Sequence, residues 1–176
     1  KREAIVNDFL ALLPEGSAFH TFVHDQEVYG KPFARFRWGV EHATTDRGTE
    51  VFMLHLSCFH DKFLIRAGKA YGLPRGFKIV YVPSASDFTI HGFYPKFDND
   101  PKRQEQVTVP PGSTRLTFFK KFSGFLGMLF CTRIDGLPVW HATSKNSGAG
   151  DFAEWAREIF RGYLTQGLQD EVTEKQ

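Results

Sequence analysis

Cysteine is nearly absent from this chain of 176 residues: Cys58 and Cys131 are the only two. They are too few and too far apart for a disulfide framework or a thiolate zinc site, so a reducing, intracellular compartment (cytoplasm or nucleus) is expected. Long apolar runs are missing too. No stretch approaches the roughly 20 residues that a membrane-crossing helix needs, and no basic-then-apolar leader opens the chain, so no membrane partner is expected. Net charge is scarce as well: 22 Lys and Arg against 20 Asp and Glu leave +2. Affinity for nucleic acid must then come from local clustering of cations. Internal repeats and low-complexity segments are absent. What the chain has in quantity is phenylalanine, 19 residues within an apolar content of 41%. A chain of this length can bury a proper core, here one built on aromatic contacts.

The apolar pattern places the elements. Residues 3–13, "EAIVNDFLALL", set Ile5, Val6, Phe9, Leu12 and Leu13 at helical spacing, and Pro14 stops the helix. "EVYGKPFARFRWGVEHATTDRG" and "TEVFMLHLSCFHDKFLI" are aromatic and β-branched, with turn residues between them, and read mainly as strands. Residues 75–97 read as a hairpin turning at Pro83–Asp87. Residues 125–145 read as a second hairpin with Asp135–Gly136 in its turn. From Asp151 the period becomes helical, with Phe152, Trp155, Ala156, Ile159, Phe160, Tyr163 and Leu164 on one stripe expected to pack on the sheet. The tail from Gln166 is polar. The whole reads as one α+β domain over 1–176, mainly antiparallel sheet with flanking helices.

Seven histidines raise the question of a metal, and their spacing argues against one. His20 and His24 lie in a stretch expected to lead into strands, without a helical face. His55 and His60 differ by an odd number, and no carboxylate or thiol stands at ligand spacing. "SGAGD" at 147–151 is similar to a phosphate-binding glycine loop but lacks the rest of that fingerprint, and reads as a flexible link and helix entry. The lysines carry more. In "KKFSGFLGMLF", 120–130, Lys120 and Lys121 point to opposite faces of an extended chain, so at most one of them faces an interior pocket. A lysine with an ordinary pKa near ~10.4 is almost wholly protonated at neutral pH. Neighbouring cations and partial burial expose its lone pair for attack. Attack on a phosphate also needs cations around the oxygens, and Arg75, Lys96 and Lys145 each sit at the edge of an expected strand.

The order of these stretches resembles that of ATP-dependent RNA ligases, in the branch of phage RNA ligases and fungal tRNA ligases. "KFSG" at 121–124 resembles the K-x-(D/N)-G nucleotidyl-transfer motif. "RGFKIVY" at 75–81 resembles the branch's Arg-Gly strand, "FYPKFDN" at 93–99 its K-F-F-N element, and "TSKNS" at 143–147 its S-K-(G/H)-S element. The resemblance covers 75–147 and implies roles. Lys121 would be the nucleophile that takes AMP from ATP. Arg75 and Lys96 would contact nucleotide or phosphate, and Ser144 with Lys145 would hold the adenylate. Gly124 would let the nucleotide sugar approach the backbone. It also implies ATP and Mg2+ as cofactors and RNA ends, a 5′-phosphate and a 3′-hydroxyl, as substrates.

The chain departs from the pattern in places. Ser123 stands where the family has Asp or Asn, and Asp98 replaces the second aromatic of K-F-F-N. The later elements, a metal-side glutamate, E-G-x-V and K-x-K, do not follow. The expectation is therefore the N-terminal portion of an adenylyltransferase domain, with a C-terminal segment as a partner that completes the active site. The alternatives are a catalytically silent RNA-binding module that keeps the basic face, and an interaction domain whose lysines are surface charge.

Overall fold

The structure, a computed structural model, describes residues 1–24, 36–58, 60–97, 109–112, 115, 117 and 123–163. In chain order the elements are α1 (Arg2–Leu10), α2 (Ala18–His24), β1 (Phe36–Thr44), β2 (Glu50–Cys58), α3 (Asp61–Tyr71), β3 (Lys78–Val82), β4 (Asp87–His91), β5 (Gly127–Ile134), β6 (Leu137–Ser144) and α4 (Asp151–Tyr163). Strands β1 to β4 form an antiparallel sheet in sequential order, and β5 pairs with β6 in a separate hairpin. The fold is α+β, as expected from the sequence.

Alternation along the strands gives the sheet two buried faces. Leu54 and Leu56 on β2 and Ile79 and Tyr81 on β3 turn toward α1, α2 and α3, where Phe9, Phe22, Leu64 and Ala67 complete a core. Phe9 is fully buried and touches the rings of Trp38, Tyr81 and Phe88. Val51 and Val80 turn the other way and meet Met128, Phe130 and Ile134 of the β5–β6 hairpin. Asp135 and Gly136, with φ of 55° and 76°, make the hairpin's two-residue turn; left-handed backbone at both central positions suits the twist of the strands they join.

Two expectations about helices change. Residues 61–71 form α3 rather than extending a strand. Its Phe63, Leu64 and Ile65 satisfy a strand pattern locally. Buried Leu64, Ala67 and Gly68 nonetheless recur at helical spacing, and Gly72 closes the helix with φ 68°. Residues 18–24 are also helical, which places positions 20 and 24 one turn apart. Among the described residues no three His, Cys, Asp or Glu gather as metal ligands. No described helix is long and apolar enough to cross a membrane.

The helix expected from Asp151 is α4, but it packs by its small residues. Ala153 and Ala156 are buried, and Gly127 lies close to Ala156 and Phe160, whereas Phe152, Trp155 and Ile159 are each about half exposed. A larger side chain at the contact would hold the helix off the hairpin.

The two sheets are joined by a stack of rings. Phe130 on β5 lies between His91 on β4, at 4.2 Å, and His141 on β6, at 5.1 Å, with interplanar angles of 20° and 21°. Burial, and then the neighbouring His91, lowers the His141 pKa to about 4, and burial lowers that of His91. Both rings are thus neutral when folded, whereas the unfolded chain takes up protons below pH 6.5. Stability should be complete above that value and fall as pH drops toward about 4, His141 alone contributing roughly 3 kcal/mol. Urea midpoints across this range check it. In His141→Phe the pH slope should shrink, while stability at neutral pH drops because Thr132 loses its 2.8 Å hydrogen bond to the ring.

Candidate functional site

Stretches distant in sequence meet at one end of the hairpin. Residues 74–76 and 93–95 run side by side: Pro74 bridges Pro95, Arg75 N–H donates to the Tyr94 carbonyl at 3.3 Å, and Phe93 N–H donates to the Arg75 carbonyl at 2.8 Å. Gly76 lies directly against β5. A Cβ there would fall 2.3 Å from Met128 Sδ and 3.3 Å from Leu126, and the backbone φ is 66°. Gly127, opening β5, pairs in register with Ser144, closing β6. The chain then makes a tight turn. Ser144 N–H and Oγ–H both donate to the Ser147 carbonyl, at 2.8 and 3.0 Å, and Ser147 N–H returns to Ser144 Oγ at 3.2 Å. At Gly150 the chain enters α4, its carbonyl accepting from Ala153 and Glu154 N–H at 2.9 and 3.0 Å. A cleft of about 370 Å³ opens between Phe125, this turn and the start of α4, lined by Ser144, Lys145, Asn146 and Ser147 and walled by Phe152. Phe125, Phe152 and Trp155 form an exposed aromatic lip, with ring contacts of 5.0, 5.3 and 6.3 Å.

Beneath the turn lies a polar cluster, wholly buried at Lys78 and half-buried at His55 and Glu41, on the hairpin-facing side of the sheet. Glu41 comes from β1, His55 from β2 and Lys78 from β3; His55 is the register partner of both Gly39 and Lys78. A Cβ on Gly39 would overlap the His55 ring at 1.8 Å, so the absent side chain is what lets the imidazole lie across β1. Lys78 is 0% exposed, and its ammonium donates to the Lys145 carbonyl at 2.8 Å. Burial lowers its pKa to about 8, against a smaller opposing pull from Glu41. Glu41 accepts from Ser147 Oγ–H at 2.7 Å and, with both oxygens, from Gly148 N–H at 2.9 and 3.1 Å. Gly148 sits so close that a Cβ would be 2.5 Å from the carboxylate. His55 Nδ1 stands 3.9 Å from Glu41, and burial and then Lys78 hold the imidazole below its ordinary value. Arg157 on α4 donates to the Gly148 carbonyl at 2.9 Å and pairs with Glu154.

The site residues expected from the sequence fall as follows. Lys121 and its neighbour Lys120 lie outside the described residues, as does Asp98. Ser144 and Lys145 line the cleft, and Gly124 is exposed near its mouth, with nothing within 4 Å of an added Cβ. Arg75 lies on the segment held against β5, and its Nε is buried without a hydrogen-bond partner. Lys96 follows the Pro95 bridge, but its amine pairs with Asp61 at the start of α3, at 3.3 Å. The "SGAGD" stretch is a pinned turn, not a flexible link, because Glu41 and Arg157 grip it from two sides. Sequence reasoning missed Glu41 and Lys78 and weighed His55 only as a metal ligand, since each reads as a polar residue on a half-solvated strand. The available signal was parity: in "RWGVEH" Gly39 and Glu41 share the face opposite Trp38 and Val40.

No family model, no curated protein and no solved structure matches the chain. The functional reading therefore rests on the site's own geometry and residue types. Gly76→Ala tests how closely the 75–76 segment is bound to β5. Strained backbone and overlap with Met128 should together cost about 1–3 kcal/mol, read as a lowered urea midpoint with an unchanged slope.

Proposed function

We propose that this chain carries the nucleotide-binding part of an ATP-dependent RNA ligase, in which Lys121 forms a covalent lysyl-AMP. AMP, left on Lys121 as ATP loses pyrophosphate, then passes to an RNA 5′-phosphate, and a 3′-hydroxyl attacks that phosphate and displaces AMP to seal the joint. The observation that carries the reading is how separate stretches adjoin: 74–76 and 93–95 side by side, Leu126 and Met128 against Gly76, and Gly127 paired with Ser144, whose turn lines the cleft together with Phe125. These are the stretches that resemble the ligase elements. The Lys145 ammonium suits phosphate oxygens, which charge-assisted hydrogen bonds hold best, and the Ser144 hydroxyl would join it by exchanging its bond to the Ser147 carbonyl for one to phosphate. Mg2+ would supply charge neutralisation of the triphosphate. The exposed Phe125, Phe152 and Trp155 rings suit unstacked bases of an RNA end.

Two substitutions probe the phosphate contacts. Binding of ATP with Mg2+ should weaken about tenfold on Lys145→Ala or Arg75→Ala, as loss of a charge-assisted bond predicts, and stay near wild type on Lys120→Ala. Equal losses in all three, by calorimetry, would indicate diffuse attraction without a built site. A separate test addresses the lip: Trp155→Ala should reduce affinity for single-stranded RNA roughly tenfold while leaving ATP binding alone.

A second reading, a silent RNA-binding module, is favoured by the pairing of Lys96 with Asp61, which occupies an amine the ligase reading assigns to nucleotide. Incubation with α-labelled ATP and Mg2+ separates the two. The ligase reading predicts label that survives denaturation once the downstream segment is supplied, and that disappears in Lys121→Ala; RNA binding without such label even then supports the module.

A further inference from the structure

We propose that Lys78, wholly buried, and Glu41, half-buried, are positioning residues, a two-point anchor that fixes the turn at 144–148 so that Lys145 and Ser144 face a phosphate-bearing ligand. The ligand class rests on the nucleotide reading above; the anchor rests on its own geometry. Lys78 rises from β3 to the Lys145 carbonyl, and Glu41 rises from β1 to Ser147 and Gly148, so the turn is held at both ends from below. The Ser144–Ser147 bonds close the turn on itself, but they do not fix where it stands above the sheet.

The chemistry is costly for a purely structural role. A wholly buried ammonium with a neutral carbonyl as its hydrogen-bond acceptor loses hydration that an apolar residue in the same place would not lose. The carbonyl that Lys78 holds belongs to Lys145, the residue whose own side chain lines the cleft. Anchoring that peptide unit removes the freedom of the segment that carries the cation, which is how a supporting residue makes a binding group effective. Gly148 is small enough to let the Glu41 carboxylate reach two donors, and larger residues would push it away.

The arrangement carries a titration signature. The titratable groups beside Lys78 are Glu41 on β1, whose charge acts on it directly, and its strand neighbours His55 on β2 and His91 on β4; the turn meets it through the Lys145 carbonyl. Both histidines are held below their ordinary value, so neither titrates above neutrality. Loss of the Lys78 proton, at about pH 8, weakens its hydrogen bond to the Lys145 carbonyl. Ligand affinity should then fall as pH rises through this value, the reverse of the acid effect on the His91–Phe130–His141 stack.

The test follows the carbonyl carbon shift of Lys145 and the amide signals of Ser147 and Gly148 by NMR between pH 7 and 10, in wild type, Lys78→Met and Glu41→Gln. Binding of ATP with Mg2+ and of inorganic pyrophosphate is measured alongside. The anchor predicts a Lys145 carbonyl inflection near pH 8 in wild type that vanishes in Lys78→Met. It also predicts Gly148 amide exchange at least about tenfold faster in Glu41→Gln, with β5–β6 amides unchanged. ATP affinity should drop about tenfold in both variants, and its alkaline decline should be absent from Lys78→Met. If Lys78→Met does not fold, the wild-type titration and Glu41→Gln decide alone. A turn unmoved in the variants, or no inflection in wild type, overturns the anchor whatever ATP does. A turn that loosens as described in a chain whose wild type binds neither ATP nor pyrophosphate supports the anchor and defeats the nucleotide reading.

Discussion

The rest of the structure is arranged around a hydrogen bond from a wholly buried ammonium, that of Lys78, to the backbone carbonyl of Lys145. A charge in a protein interior is tolerated only when its bonds are met and its surroundings are organised to meet them. Here β3 supplies the cation, β1 supplies Glu41, and Gly39 clears room for the His55 ring between them. The hairpin above must then stand in one register for its last residues to receive these bonds. The Gly127–Ser144 pair and the Asp135–Gly136 turn set that register.

This requirement explains the two-faced sheet. One face is an ordinary aromatic core against α1, α2 and α3. The other begins as an apolar layer of Val51, Val80, Met128 and Phe130 and ends, toward the cleft, in the polar cluster. The apolar part supplies the cohesion that lets the polar part exist, and the His91–Phe130–His141 stack is where the two sheets bear on each other. The cleft is thus built on the most rigid type of support available, strands and a pinned turn, with aromatic rings left exposed at its lip.

Much of the fold was legible in the sequence because it rests on local signals. Asp135–Gly136 between alternating runs, the Pro83–Asp87 turn and the period from Asp151 each mark an element by short-range chemistry. Helix α3 was not legible as a helix, because Phe63, Leu64 and Ile65 satisfy a strand pattern until Ala67, Gly68 and the Gly72 cap are weighed with them. For α4 the period and the burial of Ala156 were legible, but close packing over Gly127 also buried Ala153 and left Phe152, Trp155 and Ile159 of the expected stripe half exposed. At the site, motif order pointed to Lys121, Gly124, Arg75, Lys96, Ser144 and Lys145, of which Ser144 and Lys145 line the cleft. Lys78 and Glu41 lay beyond such reasoning, since only the three-dimensional placement of β1, β3 and the turn shows that two ordinary strand charges, one wholly and one half buried, reach the same loop.

The account is tested most directly by a crystal structure of the chain with a non-hydrolysable ATP analogue and Mg2+. It predicts the analogue's phosphates within hydrogen-bonding reach of Lys145 and Ser144, beside Phe125, with Lys78 still buried beneath the Lys145 carbonyl. An analogue bound elsewhere with this cleft empty, or a Lys78 side chain turned out to solvent, would contradict it.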